Sequence, residues 1–344
     1  MSIRQAFRGP LSGMALSLVA VIAIAACGSS SSATTTAKTL TAVLVSIQPV
    51  NDKGVMQDFT AGFNKAAIDN HYTAHKLIVL SDPATYESTL TTVAAQFQLV
   101  ITTFPPMITP VSNVAPKFPN THFVLLDAQI PTPLPNVQTM FFKENESSYL
   151  AGIVAGAMTK TNKVGFLGAL DQDVINRYLV GFYEGAHHAN PNVKVIWAYV
   201  NALEDPALGK QFALTMYNQN VDIIHAATAG TEVGVYQASE QAKKFLIGAD
   251  VDIAPLDPMY GLTAAGPDFE AAGELAMRLE AEGKFQAGRQ QFGLKDGAVR
   301  LLPYNGTLVP QSVQDMVATA KAAIIAGTIT VDDDTKLKSL TNGS

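Results

Sequence analysis

Carboxylates and amides recur in this sequence at one kind of place, directly after a short apolar, β-branched run. Asn51 and Asp52 follow residues 39–46 (TLTAVLVS), Asp127 lies in 122–128 (HFVLLDA), Asp171 follows 164–169, and Asp250 and Asp252 follow 245–248; Phe104 closes 98–104 (QLVITTF). Each run reads as a buried strand, and in open α/β sheets ligands bind in the crevice beyond the carboxyl ends of the strands. Carboxylate and amide oxygens there accept hydrogen bonds, which suits them to hydroxyl, amide or amino donors on a small ligand. The competing reading of any one of them, a cap or turn residue before the next helix, applies to roughly half of such positions.

Sequence signatures of catalysis are absent. There is no Gly-x-Ser-x-Gly elbow, no His-Glu-x-x-His helix, no phosphate-binding Walker loop and no catalytic cysteine, so the chain reads as a binder without cofactor, metal or chemistry of its own. Residues 229–234 (AGTEVG) imitate part of a dinucleotide fingerprint but lack a glycine and follow the wrong strand. His71 and His75 have the spacing of two metal ligands on a helix, yet their string, NHYTAHK, ends a helix and reads as a solvated turn; His187 and His188 read as the exposed end of another.

The elements that would position these residues alternate. The chain pivots on 144–169 (ENESSYLAGIVAGAMTKTNKVGFLGA): a helix to about Met158, capped by Asn145 and Ser147, with a thin face of Ala151, Gly152, Ala155 and Gly156 that should pack close. Lys160 and Lys163 follow at the negative end of its dipole, then a central strand over 164–169. Before the pivot, strands are expected at 39–46, 76–81, 98–104, 122–128 and 137–143, with a helix over 55–69. After it, strands at 164–168, 193–200, 221–226 and 245–248 alternate with helices at 174–189, 207–219 and 233–243. Strict alternation means a parallel, doubly wound sheet in each half. Trp197 and Tyr199 share one side of a strand, and Trp197 is assigned to the core.

A chain of 344 residues with 48% hydrophobic and 15% charged residues is globular and long enough for two domains. The formal charge is −6, and residues 1–26 hold two arginines and no acid, so a chain without them carries 21 basic against 29 acidic groups; that balance argues against a nucleic-acid partner. Arg4 and Arg8, the apolar run 14–24 and Ala25-Ala26-Cys27-Gly28 form a bacterial lipoprotein signal, with Cys27, the only cysteine, as the lipidation site. Disulfides are thereby excluded, and 28–38 (GSSSSATTTAK) reads as a flexible tether.

Glu146–Gly152, Lys163–Phe166 and Gly181–Ala186, followed by 199–209 (YVNALEDPALG), 221–234 and 247–252 (IGADVD), together resemble the basic membrane protein (PnrA-like) family of bacterial solute-binding lipoproteins, in the family's order over roughly 40–300. The resemblance implies two α/β lobes joined by a hinge, as in type I periplasmic binding proteins: 39–143 plus 266–289 as the N-terminal lobe and 144–265 plus 290–334 as the C-terminal lobe. The implied crossings lie near Lys143, Ala265 and Gln290, with 261–266 as the second crossing, a helix over 268–283 beyond it, edge strands in 292–303 and a terminal helix at 311–327. It further implies an extracytoplasmic, lipid-anchored, monomeric protein of the cell membrane that hands a small solute, first a purine nucleoside or nucleobase, to an ABC permease and ATPase. A sensing or regulatory lipoprotein, or a binder of another polar or ring-bearing solute, is the alternative.

The same resemblance points to Asp52, Asp127 and Asp250 as contacts to base or ribose, and to His225–Thr228 as a segment that presents an aromatic ring. Two departures stand out. The family's stacking Phe and following Asn are here Val55 and Met56, leaving the Met56 sulfur to pack on a ring, and the string that in the family carries a ribose-binding Lys is here Thr263-Ala264-Ala265-Gly266-Pro267, which has no amine.

Overall fold

The structure, a computed structural model, describes residues 39–51, 54–306 and 308–333. The signal, Cys27, the tether and Asp52 lie outside the described residues. From the first strand onward the described chain forms one compact unit.

Its first half alternates β1 (Thr41–Ser46), α1 (Val55–Asp69), β2 (Ala74–Val79), α2 (Tyr86–Ala94), β3 (Leu99–Thr103), α3 (Ile108–Val114), β4 (His122–Leu126) and β5 (Val137–Phe142). The second runs α4 (Glu144–Met158), β6 (Lys163–Gly168), α5 (Asp173–Ala189), β7 (Lys194–Tyr199), α6 (Pro206–Asn218), β8 (Ile223–Ala227), α7 (Glu232–Ala242), β9 (Phe245–Ala249) and β10 (Gly261–Pro267). Then come α8 (Phe269–Ala281), β11 (Gly288–Phe292), β12 (Val299–Leu301) and α9 (Gln311–Ile325).

These strands build two six-stranded sheets, ordered β2-β1-β3-β4-β5-β11 and β7-β6-β8-β9-β10-β12. Every pairing is parallel except β10 with β12. The two-lobed, doubly wound architecture expected from the alternation is therefore present, and the order repeats from one sheet to the other, with the strand order reversing beside β1 and β6. Central strands such as β3 and β8 are buried along their whole length, as helices on both faces require.

Helices α4 and α5 pack through interleaved glycines. A Cβ on Gly152 would lie 2.3 Å from the Phe182 carbonyl oxygen, and one on Gly185 would lie 1.9 Å from that of Tyr149. The thin face read in the sequence is thus the contact surface of the pivot helix. The same device joins α8 to α1, where a Cβ on Gly62 would meet the Glu270 carbonyl oxygen at 1.8 Å.

Four local expectations are corrected. Neither Asn145 nor Ser147 caps α4, which begins one residue earlier, at Glu144. The Asn145 amide instead donates to the carbonyls of Val331 and Asp332, both at 3.0 Å, and the Ser147 hydroxyl donates to Glu144 O. Strand β2 starts at Ala74, so His75 is a strand residue, 6.0 Å edge-on from Phe63, while His71 stays in the turn with φ 56°. Residues 261–267 form a fully buried strand of the second sheet, so the chain crosses back only at Asp268. Finally, β11 stays on the first sheet through Phe292, which moves the third crossing from Gln290 to Gly293.

The three crossings are tied to one another. Lys143 N donates to Phe292 O at 3.0 Å, Leu294 N to Glu146 Oε2 at 2.7 Å, and Asp268 N to Ala298 O at 2.9 Å.

Candidate functional site

The carboxyl ends of the strands carry a row of backbone conformations that L-residues avoid. Phe104 after β3 (φ 71°), Asp127 after β4 (φ 54°), Asn201 after β7 (φ 59°), Ala229 after β8 (φ 52°) and Asp250 after β9 (φ 65°) all have positive φ. Asp and Asn tolerate this region; Phe104, with ψ 161°, occupies one that is nearly exclusive to glycine, at about 1–3 kcal/mol. Such conformations persist where the surroundings dictate them, and they cluster at ligand sites.

Two cavities open between the lobes. The larger, about 450 Å³, is walled by Phe104, Asp127, Phe141 and Arg289 of the first lobe and Asp173, Val174 and Arg177 of the second. The smaller, about 160 Å³, lies between Val55, Asp58 and Phe269 on one side and Asp250, Asp252 and Arg300 on the other. Recesses of about 600 and 680 Å³ elsewhere are walled largely by α9, the segment after it and residues around the third crossing.

In the larger cavity burial pushes the Asp127 carboxyl above its usual range, while the Arg177 and Arg289 charges pull it back. Arg177 Nε lies 2.6 Å from Glu144 Oε2, both side chains being buried, and burial raises the Glu144 carboxyl to about 7 against the pull of that arginine. The Arg289 guanidinium carbon lies over the Phe141 ring, 4.0 Å from its centre.

Asp250 reaches the other side of the same charge cluster. It keeps an exposed face, yet its carboxyl end is enclosed: Tyr178 OH donates to Oδ1 at 2.5 Å, and a Cβ on Gly266 would lie 2.3 Å from that oxygen. Burial raises this carboxyl to about 6; the Tyr178 hydrogen bond lowers it and the nearby Asp127 charge raises it. The Tyr178 hydroxyl is pushed well above its ordinary value by burial and then by Asp250.

The remaining expected site residues are distributed unevenly. Asn51 lies exposed in the turn after β1. Asp171 is exposed and accepts from Asn176 Nδ2 at 2.9 Å, and Asn176 Oδ1 accepts from Tyr199 OH at 2.5 Å, so Asp171 steadies the start of α5. Asp252 lines the smaller cavity but its Oδ1 accepts from Ala254 N at 2.9 Å, a turn contact. Met56 is fully buried and walls neither cavity, whereas Val55 walls the smaller one. His225 is fully buried among Phe166, Tyr178 and Phe182, with Nδ1 3.2 Å from Ile247 O. Burial lowers its pKa to about 4, so it is a neutral core imidazole rather than an exposed ring. Thr228, fully buried, has a hydroxyl without a partner among the described residues.

The sequence reading missed the arginines. Gly266 pairs with Arg300 of the antiparallel β12, so a cation does stand where 263–267 offer none. Arg300 Nη1 holds Asp268 Oδ2 at 2.9 Å, while its Nε is buried without a partner among the described residues. The only local signal was an Arg in a short edge strand, which patterning alone leaves on the surface.

Chemically, the cleft offers paired acceptors, guanidinium donors and aromatic surface. No group of three metal-binding side chains occurs among the described residues. Groups of these kinds can fix the orientation of a small polar ligand by hydrogen bonds.

Comparison with known proteins follows the same line. The family described as "ABC transporter substrate-binding protein PnrA-like" (Bmp) matches residues 39–335. The chain is 29% identical to the "ABC transporter nucleoside-binding protein BmpA" of Lactococcus lactis over 92% of this chain and 97% of that protein. In fold it resembles an ABC transporter system solute-binding protein of Aeropyrum pernix (TM-score 0.67, 22% identity, 88% of this chain and 98% of that one). It also resembles a transcriptional activator of the comK gene from Bacillus halodurans (TM-score 0.71, 21% identity, 83% and 97%).

Proposed function

The chain belongs to the Bmp family of PnrA-like ABC transporter substrate-binding proteins, and on that premise we propose that it binds a purine nucleoside or nucleobase between its lobes and releases it unchanged to a permease and its ATPase. The observation that carries the ligand class is the pair of cleft carboxylates on opposite lobes, Asp127 and Asp250, near enough that the charge of one raises the pKa of the other. Both are held in left-handed backbone conformations at strand ends, where ring and ribose donors need acceptors. The name of the Lactococcus relative, nucleoside-binding, agrees with this choice. Arg300 beside Asp250 adds a donor, so that a hydroxyl group in the smaller cavity would find both an acceptor and a donor.

The family implies a small-molecule ligand and transporter partners, and a membrane-associated, extracytoplasmic location accords with them. No described helix is long and apolar enough to cross a membrane. In this reading lipid on Cys27 supplies the anchor, and the monomer closes around its ligand.

A thermal-shift screen of nucleosides, nucleobases, sugars and amino acids tests the ligand class. A ligand at a hundred times its dissociation constant adds about 2.7 kcal/mol of stability. Stabilisation by purines supports the reading; stabilisation by sugars or amino acids with none by purines overturns it.

A further inference from the structure

We propose that Arg289 and Asp127 together select 6-oxopurines, guanine above all, over 6-aminopurines. The inference rests on the purine reading and narrows it. Arg289 is on β11, reaches the cavity of about 450 Å³, and makes no ion pair or hydrogen bond among the described residues. Its guanidinium is nonetheless held in place, because its carbon sits over the Phe141 ring, 4.0 Å from the centre. A guanidinium held over a ring has lost part of its rotamer freedom, and its planar fork can donate two parallel N–H bonds to adjacent acceptors.

Asp127, in the same cavity, has the complementary chemistry. Its carboxylate makes no hydrogen bond among the described residues, and its position at the end of β4 is set by a left-handed backbone. Asp127 and Arg289 line the one cavity, so the two groups lie within reach of one ring-sized ligand. Phe104 adds an aromatic face to the same wall.

Charge balance decides the ligand class. The wall includes Asp127 and Asp173 against Arg177 and Arg289, with Arg177 already engaged by Glu144. An added anion would meet the carboxylates and an added cation the guanidiniums; a neutral ring with one donor edge and one acceptor edge satisfies both. Guanine has that pattern: O6 and N7 accept from an arginine fork, and N1–H with the 2-amino group donates to a carboxylate. Hypoxanthine keeps O6, N7 and N1–H. Adenine turns an amino donor toward the guanidinium and an unprotonated N1 toward the carboxylate. Each mismatched contact lowers affinity about fivefold or more, and adenine has two, so discrimination of at least about tenfold is expected.

Calorimetric titration of the full chain with guanosine, inosine, adenosine and guanosine monophosphate, repeated on Arg289→Ala and Arg289→Lys, tests this. Arg289 is exposed on an edge strand, so both variants should fold. The expected result is guanosine and inosine at least about tenfold tighter than adenosine, with that preference lost in both variants while adenosine changes less than about threefold. Equal affinity for adenosine and guanosine, or an equal loss for all purines in the variants, overturns the proposal. So does a nucleotide that binds tighter than its nucleoside with the preference retained by the Lys variant, because the arginine would then serve a phosphate. If no purine binds while another solute does, the purine reading falls and takes this inference with it.

Discussion

Asp250→Asn should stabilise the ligand-free protein while weakening it as a binder. The folded protein raises this carboxyl from about 3.8 to about 6, chiefly by burial. At 1.36 kcal/mol per pH unit, ionising a fully enclosed group of this kind costs about 3 kcal/mol of stability. Asp250 keeps an exposed face to water, and solvent screening reduces the figure to about 1–2 kcal/mol. The sign follows from proton counting. Below about pH 4 the carboxyl is protonated folded or unfolded and no cost arises. Between about 4 and 6 the folded state holds more protons than the unfolded one, so stability is lost as pH rises, and above about 6 the full cost is present. Asparagine has no proton to lose, accepts the Tyr178 hydrogen bond through its carbonyl, and tolerates the φ of 65°. Urea unfolding at pH 4 and pH 8, followed through the fluorescence of Trp197, the only tryptophan, should show the variant gaining about 1–2 kcal/mol relative to the parent between the two conditions. A difference that is independent of pH, or that shrinks toward pH 8, refutes the argument.

Gly185→Val should destabilise the protein by about 3 kcal/mol or more, because its Cβ would stand 1.9 Å from a backbone oxygen that has no rotamer to escape through; a melting temperature unchanged from the parent contradicts the packing described for α4 and α5. Cys27→Ser should release soluble protein from the membrane fraction, since bacterial lipoproteins are retained by their acyl chains; a variant that stays with the membrane removes the lipid-anchor reading. Saturating ligand should reduce the radius of gyration by closure about Lys143, Asp268 and Gly293, the three crossings; superimposable scattering curves with and without ligand exclude it.

What could be read in advance was local. The glycine spacing of α4 and α5, the apolar runs of the central strands and the aspartates at their ends depend on near neighbours in sequence, and their consequences for the fold are plain. Asn145 looked like a cap because its surroundings in sequence are those of one; its actual partners, Val331 and Asp332, are 186 and 187 residues away. The crossing at 261–266 came from the family resemblance; Gly, Ala and Pro give a strand no periodicity that would oppose it, and only pairing with β9 and β12 makes a strand of 261–267. His225 could be assigned to a ligand because burial is invisible in a single residue type. The arginines escaped for a related reason. Arg177, Arg289 and Arg300 sit on a helix and two edge strands, and the facing of the two lobes, rather than their spacing, brings them to the cleft.

The central claim, a purine held in the cleft by an acceptor at the end of β4, is tested most directly by calorimetric titration of purines into the protein and into Asp127→Asn. The substitution preserves shape and backbone preference but exchanges one acceptor oxygen for a donor, and loss of a charge-assisted hydrogen bond costs about 1.5–3 kcal/mol, or roughly tenfold to 150-fold in affinity. One-to-one binding of a purine by the parent, weakened at least about tenfold in the variant with its melting temperature retained, is the predicted result. Purine binding that the variant leaves unchanged, or none by the parent alongside tight binding of a sugar or amino acid, contradicts it.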